Sequence, residues 1–331
     1  MLPGCTLSLD LDDKWTYLKI HGDAAWRGYP SYLEVVLPRV LRFLDEHSLR
    51  ITFFIVGQDA AFRRNEGLLR SISDAGHEIG NHSFHHEPWL HLYSAERIHE
   101  ELARAEEAIG HATGQHPRGF RGPGFSISET VAGVLAARGY RYDASTLPTF
   151  LGPIARAYYL FTTRLDPEEK KERARLFGRW RDGLRPLKAW CWPTPSGALT
   201  EIPVSTMPGI RTPFHLSYLI WLASYSASAA RAYLETAVAL CGAFGVAPSF
   251  LLHPLDFLAP DEGRELAFFP GMKQPLEAKL DLAAFAVKSL ASRYSILPLE
   301  DFAAFYAGAP VEARTDPRIP LTGTATRGTR N

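Results

Sequence analysis

The first half of the 331-residue chain alternates short apolar segments with longer segments of helical periodicity. Residues 5–10 form a short apolar segment, and residues 50–57 are rich in β-branched and aromatic side chains, as buried strands are. Residues 30–47 and 94–112 instead carry apolar side chains at helical spacing. Strands that alternate with helices in this way favour a parallel sheet with right-handed crossovers. The alternation therefore predicts an α/β fold.

The second half of the chain is less regular. Residues 148–197 are rich in proline, arginine and aromatic side chains, and we interpret them as an insertion. Strand-like segments resume at 198–205 and 249–255. We predict a single barrel domain over residues 1–308, interrupted by this insertion. Residues 309–331 mix proline, threonine, glycine and arginine, and we expect a disordered tail there.

Composition limits which kinds of partner and which cellular compartment are expected. The chain has 36 basic and 36 acidic residues, and this balance argues against a nucleic-acid partner, because such proteins usually carry a basic excess. The 3 cysteines are odd in number and lack metal or redox spacing, which favours a reducing compartment. The first residues show no secretory signal, and no apolar run is long enough to span a bilayer. We therefore expect a cytoplasmic protein, with peripheral contact at the inner face of the membrane as an option.

Carboxylates and histidines follow two of the predicted strands. Asp10, Asp12 and Asp13 end the first strand, and His82 and His86 follow a later one. One carboxylate and two imidazoles with open coordination positions form the ligand set of a hydrolytic metal centre rather than a closed structural one. Barrels place their chemistry at the carboxyl ends of parallel strands, where these residues lie. The sequence therefore predicts a divalent-metal site.

The aspartate cluster leaves one assignment open. Asp10 and Asp12 lie on the same face of a strand, and two such carboxylates repel unless a cation lies beside them or one is protonated. A metal bound by Asp12, with Asp10 free as a base, resolves this conflict, but Asp13 is an alternative ligand. His82 and His86 are four residues apart, a spacing that brings two side chains to one ion on a helical turn. The plainer interpretation is a strand end followed by a polar loop.

Six ordered segments make the pattern more specific. They are S-L-D-L-D-D, T-F-F-I-V-G, G-H-E-I-G-N-H-S-F-H-H, F-R-G-P-G-F-S, Y-R-Y-D-A-S and L-L-H-P-L-D. Together they resemble the motifs of the polysaccharide deacetylase family (NodB homology, similar to carbohydrate esterase family 4). The resemblance implies a distorted (β/α) barrel of about seven parallel strands that hydrolyses N- or O-acyl groups with one divalent metal. Zn²⁺ suits the ligand set best, and Co²⁺, Ni²⁺, Mn²⁺ or Fe²⁺ also suit it.

The resemblance also implies a role for each matching residue. It implies a metal bound by the carboxylate and imidazoles of Asp12, His82 and His86. It implies further roles for five residues: Asp10 as general base, Arg121 as its ion-pair partner, the backbone N–H of Gly124 as oxyanion donor, His253 as the acid that protonates the departing amine, and Asp143 as a partner of Arg121 or His253.

Two departures from the family pattern affect these roles. The first motif reads D-L-D-D-K instead of two adjacent aspartates before glycine, and Gly124 replaces a frequent tyrosine. Plainer interpretations are an exposed Arg121 in a Gly/Pro turn, a hydrogen-bonded strand-end histidine at His253 and a strand-end aspartate at Asp143.

The favoured function is removal of an N-acyl group, acetyl or formyl, from an amino sugar, lipid- or nucleotide-linked or part of an envelope glycan precursor. One alternative is an amidase of the allantoinase type acting on a small cyclic amide, and another is a catalytically silent sugar- or lipid-binding relative. Residues 150–225 interleave basic and aromatic side chains, which suits contact with an anionic membrane. A helical excursion that packs its aromatics against the barrel explains the same pattern.

Overall fold

The computed structural model describes residues 2–152 and 180–307. Much of the predicted insertion and the whole predicted tail lie outside these residues, so the single-domain organisation stays a prediction. Helices surround one sheet. The strands are Gly4–Leu11 (β1), Thr52–Ile55 (β2), Glu78–Asn81 (β3), Gly119–Phe120 (β4), Tyr142–Asp143 (β5), Trp190–Thr194 (β6), Gly197–Glu201 (β7), Ser249–Leu252 (β8) and Ser295–Leu297 (β9).

Two of the helices, over residues 33–46 and 95–113, follow the two segments predicted as helical. The helices are Lys14–His21 (α1), Leu33–Glu46 (α2), Gly57–Ala60 (α3), Glu66–Asp74 (α4), Ala95–Thr113 (α5), Glu129–Ala137 (α6), Leu216–Ala223 (α7), Ala227–Phe244 (α8), Leu276–Ala291 (α9) and Leu299–Ala307 (α10). In the described part of the chain, none of these helices has the length and apolarity needed to cross a membrane.

The sheet is mostly parallel and curls into a distorted barrel. Its strand order is β6-β7-β5-β4-β3-β2-β1-β8, with β9 also pairing parallel to β1. Only the β6–β7 pair is antiparallel among the described strands. The segment after β7 returns to β8, where the Ser205 N–H donates to the Ser249 carbonyl at 3.0 Å. The predicted α/β barrel is confirmed, and the end of the predicted insertion adds the strand β6 to its sheet.

Alternation along β1 separates the core from the barrel interior. Cys5, Leu7 and Leu9 are fully buried in the main apolar cluster, which the surrounding helices complete. Ser8 and Asp10 point to the opposite face, as a period of two requires, and contact a side chain inside the barrel. Polar groups on this strand therefore lie inside the barrel, near its carboxyl end.

The amino-terminal end of the barrel is closed by α10. Leu299 and Ala303 are buried in a cluster with Phe54, Tyr142 and Ile202. The Leu299 N–H also donates to the Thr52 hydroxyl at 2.8 Å. The polar side chains lie at the opposite side of the barrel, at the carboxyl termini of β1, β3 and β8.

The aromatic residues of the predicted insertion divide into two groups. Trp190 and Trp192 are 2% and 4% exposed and pack with α6. Trp180 is 61% exposed. Packing against the barrel, the plainer interpretation of this segment, therefore holds for the two tryptophans of β6. Cys5 and Cys241 are buried free thiols.

Candidate metal centre

Asp12, His82 and His86 converge at the carboxyl ends of β1 and β3. The Asp12 Oδ1 atom lies 2.9 Å from His86 Nε2 and 3.3 Å from His82 Nε2. All three side chains are buried, and one ligand atom of each lies within 4.8 Å of the others. Among the described residues, this is the cluster that could hold a metal ion. The structure thus brings together the three residues predicted as ligands.

Asp13 has a different position from Asp12. It is the N-cap of α1, and its Oδ1 atom accepts hydrogen bonds from the backbone N–H groups of Lys14 at 2.7 Å and Tyr32 at 3.0 Å. Burial, the largest influence, raises its pKa to about 6 despite these hydrogen bonds. The geometry therefore favours Asp12 over Asp13 as the ligand.

The four-residue spacing of the two histidines alone would suggest a helix, but both residues lie on a tight turn. Ser83 and His86 have left-handed backbone conformations, with φ values of 60° and 52°. The Ser83 N–H donates to the Asn81 side chain at 2.8 Å, and the His86 N–H donates to the Ser83 hydroxyl at 3.2 Å. The turn reverses the chain, so that both imidazoles face Asp12.

Glu101 of α5 fastens this turn to the barrel. Its Oε1 atom accepts from the backbone N–H groups of Phe84 at 3.1 Å and His85 at 2.6 Å. Its Oε2 atom lies 2.7 Å from His85 Nδ1. Burial alone would raise the pKa of Glu101, but the hydrogen bonds and charge of His85 hold it below its ordinary value. His85 is therefore part of an anchor beside the candidate metal centre, and its imidazole is paired with Glu101.

The orientation of His82 is set by one hydrogen bond. Its Nδ1 atom lies 2.6 Å from the Arg121 carbonyl oxygen, which can only accept. Nδ1 therefore carries the proton, and the Nε2 lone pair faces Asp12. A backbone carbonyl that fixes the tautomer of a metal-binding histidine is a common outer-shell arrangement.

The donor set fits a divalent cation. Burial alone would raise the pKa of Asp12, but the imidazoles of His86 and His82 hold it well below its usual range. Burial alone would lower the pKa of His82, but Asp10 and Asp12 raise it. Asp12 Oδ1 and His86 Nε2 are buried and lie 2.9 Å apart, and within the described residues neither atom has a partner in hydrogen-bond geometry. The electrostatics thus favour positive charge among one carboxylate and two imidazoles.

The predicted contact between Asp10 and Arg121 is present in the structure. Arg121 Nη1 donates to Asp10 Oδ1 at 2.7 Å and to the Ser8 hydroxyl at 2.8 Å, and Nε donates to the Ala144 carbonyl at 2.8 Å. The guanidinium also lies over the Phe54 ring, 4.4 Å from its centroid. Arg121 is fully buried, so the interpretation of an exposed arginine in a turn is wrong. These contacts fix the Asp10 carboxylate beside the candidate metal centre.

Asp143 does not have the predicted surroundings. Its carboxyl group accepts from the Ser145 hydroxyl at 2.6 Å and from the Ser145 N–H at 3.1 Å. Burial, and then the neighbouring Glu201, raise its pKa well above the ordinary value. The predicted pairing with Arg121 or His253 is therefore wrong, because Asp143 faces Ser145 and Glu201 instead.

Asp143 still contributes indirectly to the loop that contains Gly124. The Ser145 hydroxyl that it orients accepts from the Gly122 N–H at 2.7 Å. Gly124 itself has a φ of 61°, and a Cβ atom there would lie 3.0 Å from a carbon of Pro88. A left-handed backbone and close packing both favour glycine at this position. Its role as an oxyanion donor stays a prediction.

His253 directly follows β8, the strand that pairs with β1. Leu252 is in register with Leu9, so His253 and Asp10 follow adjacent positions on neighbouring strands. The Nδ1 atom of His253 lies 2.9 Å from the Ser217 hydroxyl, and its N–H donates to Asp256 at 2.8 Å. The histidine is half-buried.

Three residues of the site were not predicted from the sequence: Glu101, Ser217 and Asp256. Asp256 belongs to the segment L-L-H-P-L-D and could have been noticed there. Glu101 and Ser217 lie on helices far along the chain from their partners, and no local pattern marks them.

The fold and this cluster define an α/β barrel with a candidate metal centre. Residues 22–142 match the family model described as polysaccharide deacetylase. The structure resembles that of a putative polysaccharide deacetylase from Mycobacterium smegmatis, with a TM-score of 0.57, 20% sequence identity and coverage of 96% of each chain. The predicted resemblance to the polysaccharide deacetylase family is thereby confirmed.

Curated relatives match over shorter regions. The uncharacterized protein YlxY of Bacillus subtilis is 34% identical over 116 residues, which are 35% of this chain and 34% of that protein. The peptidoglycan-N-acetylmuramic acid deacetylase PdaA of the same organism is 36% identical over 105 residues, 31% of this chain and 39% of that protein. The peptidoglycan-N-acetylglucosamine deacetylase PgdA of Listeria monocytogenes is 31% identical over 97 residues, 29% of this chain and 20% of that protein. The chain thus spans well under half the length of these relatives.

Proposed function

We propose that this chain is a metal-dependent hydrolase that removes an N-acyl group from an amino sugar. The observation that carries the proposal is the position of the buried Asp12, His82 and His86 cluster beside the Asp10–Arg121 ion pair. A ligand set with a separate, fixed carboxylate is what hydrolysis requires, because one group holds the ion and another takes the proton. The names of the matched deacetylases support the same reaction class.

In this proposal Asp12, His82 and His86 hold one divalent ion, with Zn²⁺ as the first candidate and Co²⁺, Ni²⁺, Mn²⁺ or Fe²⁺ as others. The ion, when bound, would supply Lewis acidity toward the acyl carbonyl and the attacking water. Asp10 would take the proton of that water. Arg121 keeps the Asp10 carboxylate in one orientation through a 2.7 Å contact, so that the base need not reorganise during the reaction.

The departing amine needs a proton, and His253 is the proposed donor. Because β8 pairs directly with β1, the backbone register fixes the proposed acid relative to the proposed base Asp10. The backbone N–H of Gly124 is proposed to donate to the developing oxyanion. Preorganised donors at that position lower the activation free energy of acyl transfer. Base, acid and oxyanion donor thus come from different strand ends or loops at one end of the barrel.

The aromatic surroundings of His253 favour a sugar over a small cyclic amide. The ring of His215 lies 5.8 Å from that of His253, and a series of ring contacts continues along α7 through Tyr218, Trp221 and Tyr225 at 5.3 and 5.6 Å. Tyr225 is 78% exposed, so the series leads from the proposed acid to solvent. An open aromatic surface suits an extended saccharide, whereas a cyclic amide of a few atoms needs an enclosed pocket.

One experiment tests both the reaction and its alternatives. The wild-type protein and Asp10→Asn are purified without added metal, and their metal content is measured by elemental analysis. Release of acetate or formate is then followed with acylated amino sugars, free and lipid- or nucleotide-linked, and ring opening is followed with cyclic ureides. His111→Ala, at an exposed histidine of α5, is the matched control and should retain full activity.

The outcomes separate the candidate functions. Acyl release by the wild type, lost in Asp10→Asn with metal retained, supports the proposal. Ring opening without acyl release favours the cyclic amidase. Absence of bound metal after reconstitution, together with absence of turnover, contradicts both and leaves a sugar- or lipid-binding relative.

We also propose, separately, that residues 150–225 contact an anionic membrane, which would be the inner face in an intracellular setting. Trp180, Leu184 and Ile210 are 61%, 43% and 60% exposed, and apolar side chains at a protein surface can enter the interfacial region of a bilayer. Flotation with vesicles of anionic and of neutral lipids tests this contact. Binding to neither kind of vesicle contradicts it.

A further inference from the structure

His253 is connected to a buried carboxylate through a serine hydroxyl. The His253 Nδ1 atom lies 2.9 Å from Ser217 Oγ, and Ser217 lies in the first turn of α7 and is 9% exposed. The same hydroxyl is among the groups that lower the pKa of the Asp256 carboxyl, as a hydrogen-bond donor to it would, and Asp256 is 2% exposed. Asp256 Oδ2 also accepts from the His253 backbone N–H at 2.8 Å. The three residues form a closed group in which Ser217 stands between the imidazole and the carboxylate.

A hydroxyl has one proton to donate and can also accept hydrogen bonds. This property defines which group donates and which accepts between His253, Ser217 and Asp256. An ionised Asp256 can only accept, so the Ser217 proton points to it. The Ser217 oxygen then accepts from Nδ1–H of His253. This arrangement places the imidazole proton on Nδ1 in the neutral ring, and it leaves Nε2 as the nitrogen that gains and loses the exchangeable proton.

The charges around this group favour an ionised Asp256. Burial, the largest influence, raises the pKa of Asp256 above its ordinary value, and His253, the Ser217 hydroxyl, the His253 backbone N–H and the Lys279 ammonium act against this rise. Lys279 Nζ also donates to the Leu255 and Leu258 carbonyls at 3.0 and 2.9 Å, so it holds the turn that carries Asp256.

Two further titratable side chains face this group. The pKa of His215 is lowered to about 3 by burial and then by His253, so His215 stays neutral at physiological pH and adds no charge. Tyr17 of α1 is near Asp256, and burial raises the Tyr17 pKa well above its ordinary value. Both side chains are therefore neutral at physiological pH, and neither adds a negative charge beside His253.

We propose that Ser217 and Asp256 are positioning residues that hold His253 in the Nδ1–H form and stabilise its imidazolium for proton transfer from Nε2. The inference rests on the proposed role of His253 as the acid. The proton that leaves is the one on Nε2, and it moves to the departing amine nitrogen. Ser217 keeps its proton and Asp256 stays ionised throughout. Ser217 lies outside residues 22–142 that match the family model.

The test measures the tautomer and the pKa of His253 by NMR of the zinc-reconstituted protein with ¹⁵N-labelled histidine, with His253→Gln to assign the signal. The wild type should show the Nδ1–H tautomer when neutral. Ser217→Ala should lower the His253 pKa by about one unit, because a hydrogen bond that favours the charged form contributes on that order. Ser224→Ala is the matched control, since Ser224 is an exposed serine at the opposite, carboxyl end of the same helix and donates to the Trp221 carbonyl.

Two more variants keep the test decisive if Ser217→Ala folds poorly. Ser217→Thr retains a hydroxyl and should restore the wild-type His253 pKa. Asp256→Asn should lower that pKa, and adding Ser217→Ala should then lower it by less than it does in the wild-type background, because the serine acts through the carboxylate. An Nε2–H tautomer, or an unchanged His253 pKa in both Ser217→Ala and Asp256→Asn, overturns the proposal.

The NMR result is independent of turnover. A shifted pKa in a protein that releases no acyl group supports the positioning role and contradicts the proposed function. Acyl release with an unchanged His253 pKa supports the function and contradicts the positioning role. Where acyl release occurs, the limb of the kcat/KM profile assigned to the acid should shift to lower pH in Ser217→Ala by the same amount as the NMR pKa.

Discussion

Replacement of Glu101 by leucine should loosen the turn that carries His86. The Glu101 carboxylate is 6% exposed and accepts from the backbone N–H groups of Phe84 and His85, and it lies 2.7 Å from the His85 imidazole. Leucine has a similar size but accepts no hydrogen bond. Glu101→Leu therefore leaves two backbone donors without partners beside the candidate metal centre.

The cost can be worked out group by group. A buried donor left without its partner costs about 1–3 kcal/mol. The His85 side chain is 40% exposed, so water can replace its contact with Glu101, and we count only the two backbone N–H groups. Two such N–H groups together should lower the free energy of unfolding of the metal-free protein by about 2–6 kcal/mol. Glu101→Gln keeps an acceptor oxygen and should cost less than half as much.

Metal affinity should fall as well, because His86 is aligned only when the turn is formed. If about 1.4 kcal/mol of the loss reaches the binding step, the dissociation constant for Zn²⁺ rises about tenfold. Urea unfolding followed by circular dichroism gives the first quantity, and isothermal titration calorimetry gives the second. Glu107→Leu, at an exposed position of the same helix, is the control and should change stability by less than about 0.5 kcal/mol. The reasoning fails if Glu101→Leu matches Glu107→Leu in both stability and Zn²⁺ affinity.

Three other predictions concern single side chains. His82→Ala should remove a ligand and with it the bound metal, as elemental analysis would show; one equivalent of retained metal would contradict the assignment. Asp10→Asn should retain the metal but lose about 10²–10⁴-fold in rate, the usual contribution of a general base, and full activity would exclude Asp10 from that role. His77, 4% exposed, has a pKa lowered to about 4 by burial and then by Arg50, so the unfolded chain binds its proton first and stability should fall as pH drops from about 6.5 to 4. The fall due to His77 approaches about 3 kcal/mol below pH 4; His77→Gln should flatten this part of the curve in urea unfolding at several pH values, and an unchanged curve would contradict the lowered pKa.

Much of the fold could be predicted because its strands and helices have clear local patterns. The apolar segment 5–10 lies within β1, and the segment 94–112 nearly coincides with α5. The helix α1 was missed because its residues are buried on several sides, Trp15, Thr16, Tyr17 and Leu18 in succession, so that it has little helical periodicity. Its remaining signals are the N-cap Asp13 and the C-terminal Gly22 with a left-handed φ of 84°.

The site could be predicted where the chemistry is concentrated in short segments. Asp12, His82 and His86 were found because they follow strand ends in recognisable motifs. The surroundings of Asp143 were not, because its neighbour Glu201 lies on a strand that follows the insertion. Contacts between such distant residues depend on the strand order of the sheet, which residue patterns do not encode locally.

The position of β1 between β2 and β8 has a consequence for synthesis of the chain. One edge of β1 pairs with β2 soon after both are made, but the other pairs with Ser249–Leu252. During translation the edge of β1 that pairs with β8 stays unpaired until more than two hundred intervening residues have been made. The apolar Leu7 and Leu9 lie beside this edge. An open edge on an apolar strand is prone to pair with other chains, so a nascent chain halted before β8 should need chaperone protection against aggregation.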